Sequence, residues 1–183
     1  MGLLDFLRPK KKQPKYDVTN ITLHDLDAGF VFEYDLDTWV VKEKYEYDWG
    51  QENFSHEYKI DNGKHIRYLG VEDKGDLFIT YLYPLKSSDI GGEVIDSMIR
   101  GEKAPSSLFY NGEMYKLAGD SAGYFNNITK KTNEWEELMS WEYLNDSGDK
   151  IVNITQWDEK TFDVVGGEVL KEFHISNIIP GEL

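Results

Sequence analysis

Hydrophobic and polar positions alternate with a period near two over most of this chain, the signature of half-buried strands. Phe30, Phe32 and Tyr34 share one face, and residues 35–37 then turn the chain into the apolar run Trp39-Val40-Val41. Further on, Phe54, His56, Tyr58 and Ile60 alternate with Ser55, Glu57 and Lys59, so that Glu57 lies on the polar face opposite Tyr58. Asp61-Asn62-Gly63 is a hairpin signal, because Asn and Gly tolerate the positive φ of a tight reversal. Residues 66–71 and 77–82 predict two more strands, separated by Asp73-Lys74-Gly75-Asp76. Connections this short make an antiparallel meander.

The pattern occurs twice. His56-Glu57-Tyr58-Lys59-Ile60-Asp61-Asn62-Gly63 matches Trp141-Glu142-Tyr143-Leu144-Asn145-Asp146-Ser147-Gly148 at an offset of 85, which also pairs Ile66 with Ile151, Leu69 with Ile154 and Leu77 with Phe162. Upstream, residues 34–41 match residues 110–117 at an offset of 76, so the second copy carries nine extra residues between Leu117 and Trp141. The second copy predicts strands at 108–110, 114–117, 135–144, 151–157, 162–165 and 169–175, with an irregular segment around Gly119-Asp120-Ser121-Ala122-Gly123-Tyr124 that extends to Lys130-Lys131. Between the copies, Ile90, Val94, Ile95, Met98 and Ile99 fall on one helical face, with Ser88 or Asp89 as cap and Gly101 and Pro105 as stop.

The expected fold is therefore mainly β: two tandem antiparallel β-meander units, small barrel or sandwich, related by a pseudo-two-fold and joined by one α-helix. The division is a basic tail at 1–17, a first repeat at 18–86, a linker helix at 87–104 and a second repeat at 105–183. Each unit is small enough to be marginal alone, so the copies are expected to bury their apolar faces against each other.

Composition narrows the function classes. Of 183 residues, 34 are Asp or Glu against 20 Lys or Arg, a net charge of −14 that repels phosphate backbones and argues against nucleic acid as a partner. The absence of Cys removes disulfides, thiolate nucleophiles and Cys-based zinc sites, and suits a reducing compartment. With no apolar run of signal-peptide length, the cytoplasm is the expected location. Basic charge concentrates at the start, where Arg8, Lys10, Lys11 and Lys12 adjoin Leu3, Leu4, Phe6 and Leu7. Apolar residues beside lysines suit a weak, salt-sensitive contact with an anionic membrane, peripheral to the inner membrane; a solubilising terminus is the plainer reading.

Residues 27–73, with Tyr34, Trp39-Val40-Val41, Tyr45, Glu57-Tyr58 and Leu69-Gly70-Val71-Glu72, resemble the bacterial family catalogued as domain of unknown function 4178. So does the C-terminal part, with Trp141-Glu142-Tyr143, Gly167-Glu168 and Ile178-Ile179-Pro180-Gly181. The resemblance implies a β-rich cytoplasmic protein of unestablished activity, associated with membrane-stress gene neighbourhoods. It supplies no catalytic residues.

Among the carboxylates, Glu57 and Glu142 stand out, because a pseudo-two-fold that brings one acid near its own copy suits glycoside hydrolysis or a hard cation. As residues on the polar strand faces, they equally suit plain solvation. Trp49, Trp135 and Trp157 are candidate surface aromatics for a carbohydrate or other small ligand. Neither a metal set nor a cofactor motif is present: His24, His56, His65 and His174 show no ligand spacing, and the Asp-rich turns lack the closing Glu of a calcium loop. The sequence thus favours a noncatalytic binding or adaptor protein whose partner is a protein or a basic small molecule. The alternatives are an enzyme with a carboxylate site between the repeats and an aromatic-lined ligand module.

Overall fold

The first hairpin of each repeat is set by two consecutive residues at positive φ: Asp35 and Leu36 (50° and 63°) in one copy, Asn111 and Gly112 (49° and 82°) in the other. Positive φ at both centres matches the twist of paired strands and gives a two-residue reversal. In the computed structural model, which describes Asp17, residues 19–73 and residues 75–181, these turns join β1 (Val31–Tyr34) to β2 (Asp37–Asp48) and β6 (Ser107–Tyr110) to β7 (Glu113–Asn126). The remaining strands are β3 (Phe54–Asp61), β4 (Ile66–Asp73), β5 (Leu77–Leu85), β8 (Glu136–Asn145), β9 (Lys150–Gln156), β10 (Phe162–Leu170) and β11 (Ser176–Ile179).

The eleven strands of the described residues belong to one antiparallel sheet, and eight of them close into a ring in the order β2-β3-β4-β5-β10-β9-β8-β7, with β7 pairing back to β2. β1 flanks β2 and carries β11 on its other edge, and β6 flanks β7. The long strands β2 and β7 each carry a bulge at the equivalent place, between Val41 and Glu43 and between Leu117 and Gly119. A bulge bends its strand and sharpens the local twist. Before it, β2 pairs with β1 and β7 with β6; beyond it, β2 and β7 meet at residues 46–48 and 124–126.

Two apolar clusters cover the outside of the ring, one per repeat. Phe32, Trp39, Val41, Tyr58, Leu69 and Ile79 pack under Leu23 and Leu26, from the stretch that leads into β1, and under Ile175. Their counterparts Leu108, Tyr115, Tyr143, Ile154 and Val164 pack under Ile90, Ile95 and Met98. Tyr58 and Tyr143 are almost wholly buried, at 1% and 0% exposure, and each aliphatic side chain buried alongside them contributes about 1.5–3 kcal/mol.

The mainly β, duplicated architecture thus agrees with the sequence reading, and several particulars differ. The apolar faces do not meet: the first repeat's face is covered by the stretch before β1 together with Ile175 from the C-terminal end of the chain, the second repeat's by the linker, and the polar faces confront each other across the ring. The linker is a 3-10 turn at Ser87–Ile90 followed by α1 (Gly92–Ile99), because Gly91 takes φ 91° between them. The stretch from Gly119 to Asn126 is not irregular; it is the second half of β7 and makes the seam with β2. Residues 162–170 form one strand through Gly166-Gly167, where two were expected, and a 3-10 turn at Glu172–His174 follows.

Candidate functional site

Pairing register places Tyr45, Glu57, Gly70 and Thr80 side by side across β2 to β5 on the inner face of the ring. In the other repeat, Glu142, Asn153 and Val165 line up across β8 to β10, and Val165 is opposite Pro84 of β5. All of these residues line one cavity of about 560 Å³. An eight-stranded ring is just wide enough to hold one small ligand, and this volume falls in the usual range for ligand sites. Exposed residues Asn53, Ser87, Asp120 and Ser121 are part of its border, so the lumen reaches the surface.

Alternation within β3 turns Glu57 away from the outer cluster that holds Tyr58 and into the lumen. The Tyr47 hydroxyl donates to Glu57 Oε1 at 3.2 Å. Enclosure by the wall disfavours the charged form and pushes the Glu57 carboxyl up to about 7, against the smaller opposing pull of the Tyr47 hydrogen bond. Burial, with Glu57 beside it, also raises the Tyr47 phenol well above its ordinary value. Next to Glu57 the wall is thinned by Gly70, where a Cβ would come within 2.5 Å of Thr80 Oγ1.

One side of the lumen is a continuous aromatic surface. Tyr47 stacks on Trp49 with ring centres 5.5 Å apart and planes at 2°. Phe125, from β7, touches Tyr45 at 5.2 Å, Tyr47 at 5.4 Å and Trp157 at 5.2 Å, so residues of both repeats interlock at the β2–β7 seam. The indoles are held by their N–H groups: Trp49 donates to Ser55 Oγ at 2.9 Å and Trp157 to Asp163 Oδ2 at 2.7 Å. The charged residues that line this cavity, among those described, are Glu57, Glu72, Asp120, Glu142 and Asp163, with His56 beside them. Beyond Tyr45 and Phe125 a smaller cavity of about 300 Å³ holds the Lys59–Glu43 ion pair at 2.9 Å, and Asn127 donates to Glu43 at 2.6 Å.

Of the residues singled out from sequence, the structure brings Glu57, Glu142, Trp49 and Trp157 to the border of the same lumen. Trp135 stands apart, half-buried near the start of β8, its indole donating to Asn133 at 3.3 Å. Leu3, Leu4, Phe6, Leu7, Arg8, Lys10, Lys11 and Lys12 lie outside the described residues. Among the described residues, no group of three or more acidic or histidine side chains is disposed to hold a metal ion. None of the described helices is long and apolar enough to cross a membrane. Sequence reasoning missed Tyr45, Tyr47, Tyr68 and Asn153. For Tyr45 and Tyr47 the reason is the bulge after Val41: strict alternation puts them on the face of Trp39 and Val41, and the extra residue turns them inward.

A family model described as "Domain of unknown function (DUF4178)" matches residues 27–172. An uncharacterised protein of Aquifex aeolicus (strain VF5) is 26% identical over 186 residues, which cover 98% of this chain and 99% of that protein. No solved structure matches the chain significantly.

Proposed function

We propose that this chain, which belongs to the family of domain of unknown function 4178, is a noncatalytic binding protein that holds a small molecule in the lumen of its ring. The observation that carries the reading is the 560 Å³ cavity itself, built jointly by the inner faces of both repeats and bordered by an aromatic wall and carboxylates. A structural barrel of this width fills its interior with side chains; this one keeps the interior open and stabilises itself with two cores on the outside. Glycines at 70 and 119 on the inner wall add to the free space.

The test is chemical. Full-length chain purified without denaturant, then unfolded, should release a bound small molecule detectable by mass spectrometry. Ser140→Trp, which fills the lumen from β8 and leaves both outer cores untouched, should release none, with Thr155→Phe on β9 as an independent blocking variant. If neither variant alters what co-purifies, and no class of small molecule raises the melting temperature of the wild type, the reading fails.

A second reading, an enzyme using Glu57 and Glu142, draws support from the two carboxylates bordering one cavity and from a Glu57 carboxyl poised near neutral pH, which suits proton transfer. It requires a turnover that Glu57→Gln abolishes while the substrate is still bound. Peripheral attachment through residues 3–12 is a separate proposal. Co-sedimentation with anionic liposomes, unchanged on removal of residues 1–12, would dismiss it.

A further inference from the structure

We propose that the free edge of β6 is a self-association site, at which a second copy of this chain adds its own β6 in antiparallel register and extends the sheet across a two-fold axis at Leu108. The site is independent of the lumen and of what the lumen holds.

Residues that flank a two-residue turn exchange both backbone bonds, so Tyr110 bonds Glu113; further along the pair, the Leu117 N–H donates to the Ser106 carbonyl at 3.0 Å, which keeps the same phase. Ser107 and Phe109 therefore fall in the alternate pairs with Lys116 and Met114, and their N–H and C=O groups point away from β7. Among the described residues, no strand meets them there. Their equivalents at the offset of 76 are Val31 and Glu33, the two residues that β11 covers through Ile179 and Ser176. The offset of 85 shows why one repeat has this cover and the other lacks it. The turn at Glu172–His174 and the buried Ile175 lead into β11, whereas their equivalents, residues 87–89 and the buried Ile90, lead into Gly91-Gly92 and α1.

Side chains follow the same asymmetry. Phe109 and Met114, directly opposite each other, are 64% and 52% exposed, where the covered repeat has Glu33 and Thr38. Sheet edges that stay single are commonly broken by a charge, a proline or a bulge. The far end of this sheet has such guards: Asn177 at φ 52°, a register break against β1, and Pro180. Ser107-Leu108-Phe109-Tyr110 has none of them. The occupant follows from symmetry. Ser107 and Phe109 lie one on each side of Leu108, so a second β6 laid antiparallel across a two-fold there lets Ser107 exchange both bonds with Phe109 of the other copy, and the reverse. The two Phe109 rings then become diagonal neighbours about 7–8 Å apart on one face, with Met114 of each copy beside them. A four-residue edge with this apolar stripe buries less than the roughly 1,200 Å² at which stable interfaces begin, so the dimer is reversible, with a dissociation constant of about 10–500 μM. Each copy carries a net charge of −14, so long-range repulsion opposes association and salt relieves it, the reverse of what a basic segment bound to the acidic body would show.

Sedimentation equilibrium of the full chain from about 5 to 500 μM, in about 50 and 500 mM NaCl, tests the edge. A monomer–dimer equilibrium that tightens at the higher salt is expected. Phe109→Lys places a charge in the apolar stripe, and Ser107→Pro removes an outward N–H without touching the β6–β7 ladder. Each should weaken association at least about tenfold while the circular dichroism spectrum stays that of the wild type. Ile179→Lys, on the other edge of the sheet, should leave association unchanged. Amide exchange at Ser107 and Phe109 should slow as the wild-type concentration rises. A monomer at every concentration overturns the proposal, as does a dimer that survives both β6 variants, that Ile179→Lys breaks, or that salt dissolves. Dissolution by salt together with loss on removing residues 1–12 would assign the contact to the basic terminus instead.

Discussion

Leu82 and Gly167, repeat equivalents 85 residues apart, lie directly opposite each other in the antiparallel pair β5–β10. On the other side of the ring, Asp48 faces its own equivalent Tyr124 across β2–β7. A residue paired with its own copy marks a pseudo-two-fold axis, so the axis crosses the ring through both junctions between the repeats. Copies joined in this way are held by backbone hydrogen bonds as well as side chains.

The β5–β10 junction tolerates no side chain at 167. A Cβ there would sit 2.0 Å from the Tyr81 carbonyl oxygen and 3.0 Å from Leu82 Cα, both backbone atoms that cannot yield. Gly167→Ala should cost about 2–4 kcal/mol in denaturant unfolding. Gly119→Ala, with nothing within 4 Å of its Cβ, should cost no more than about 0.5 kcal/mol. Equal effects of the two substitutions would refute this account of the junction.

The β2–β7 seam is the weaker closure, since it pairs only over residues 46–48 and 124–126, whereas β5 pairs with β10 along residues 164–170. Amide hydrogen exchange should therefore be faster at 46–48 than at 79–85. Gly123→Ala should widen the gap, because its Cβ would press to 2.7 Å from the Trp49 ring and 2.8 Å from the Asp48 carbonyl. Tryptophan emission in that variant should shift to the red as Trp49 leaves Tyr47; unchanged emission and exchange would count against a seam at this point.

Glu57 makes stability depend on pH in a definite direction. Its pKa rises from 4.5 to about 7 on folding, so between those values the folded chain keeps a proton that the unfolded chain has released. The protonated form is favoured, and stability from this group is whole below pH 4.5, declines as pH rises and is lost above pH 7, a difference of roughly 3 kcal/mol. Glu57→Gln, which stays neutral and still accepts from Tyr47, should match the wild type at pH 4 and exceed it at pH 8. A variant less stable at pH 8 would contradict the assignment.

Leu36 occupies a left-handed position, φ 63°, in the turn where the second repeat has Gly112, and its side chain is fully exposed. Nothing offsets the strain of a Cβ at positive φ. Leu36→Gly should raise stability by about 1 kcal/mol in thermal or denaturant unfolding, and a loss of the same size would contradict strain at this turn.

Much of the local structure is legible in the sequence because it depends on neighbours along the chain. The offset of 76 carries β1 onto β6 residue for residue, and the offset of 85 does the same for β5 and β10. The Asn and Gly turns and the alternation that separates Glu57 from Tyr58 are equally local. The bulges are not: nothing between Val41 and Glu43 distinguishes a continued strand from a bent one, and the inward turn of Tyr45 and Tyr47 follows from that bend alone.

By itself, then, the sequence determined a duplicated set of strands, their turns and which residues share a face. Tertiary structure decided what each face meets. Two half-polar meanders can satisfy their apolar sides against each other or against the segments that precede, join and follow them, and both choices respect the same alternation. The bulges in β2 and β7 and the close approach allowed by Gly167 bend the two units into one ring. Only then do the polar sides, far apart in sequence, enclose a lumen in which a carboxylate is partly withdrawn from solvent.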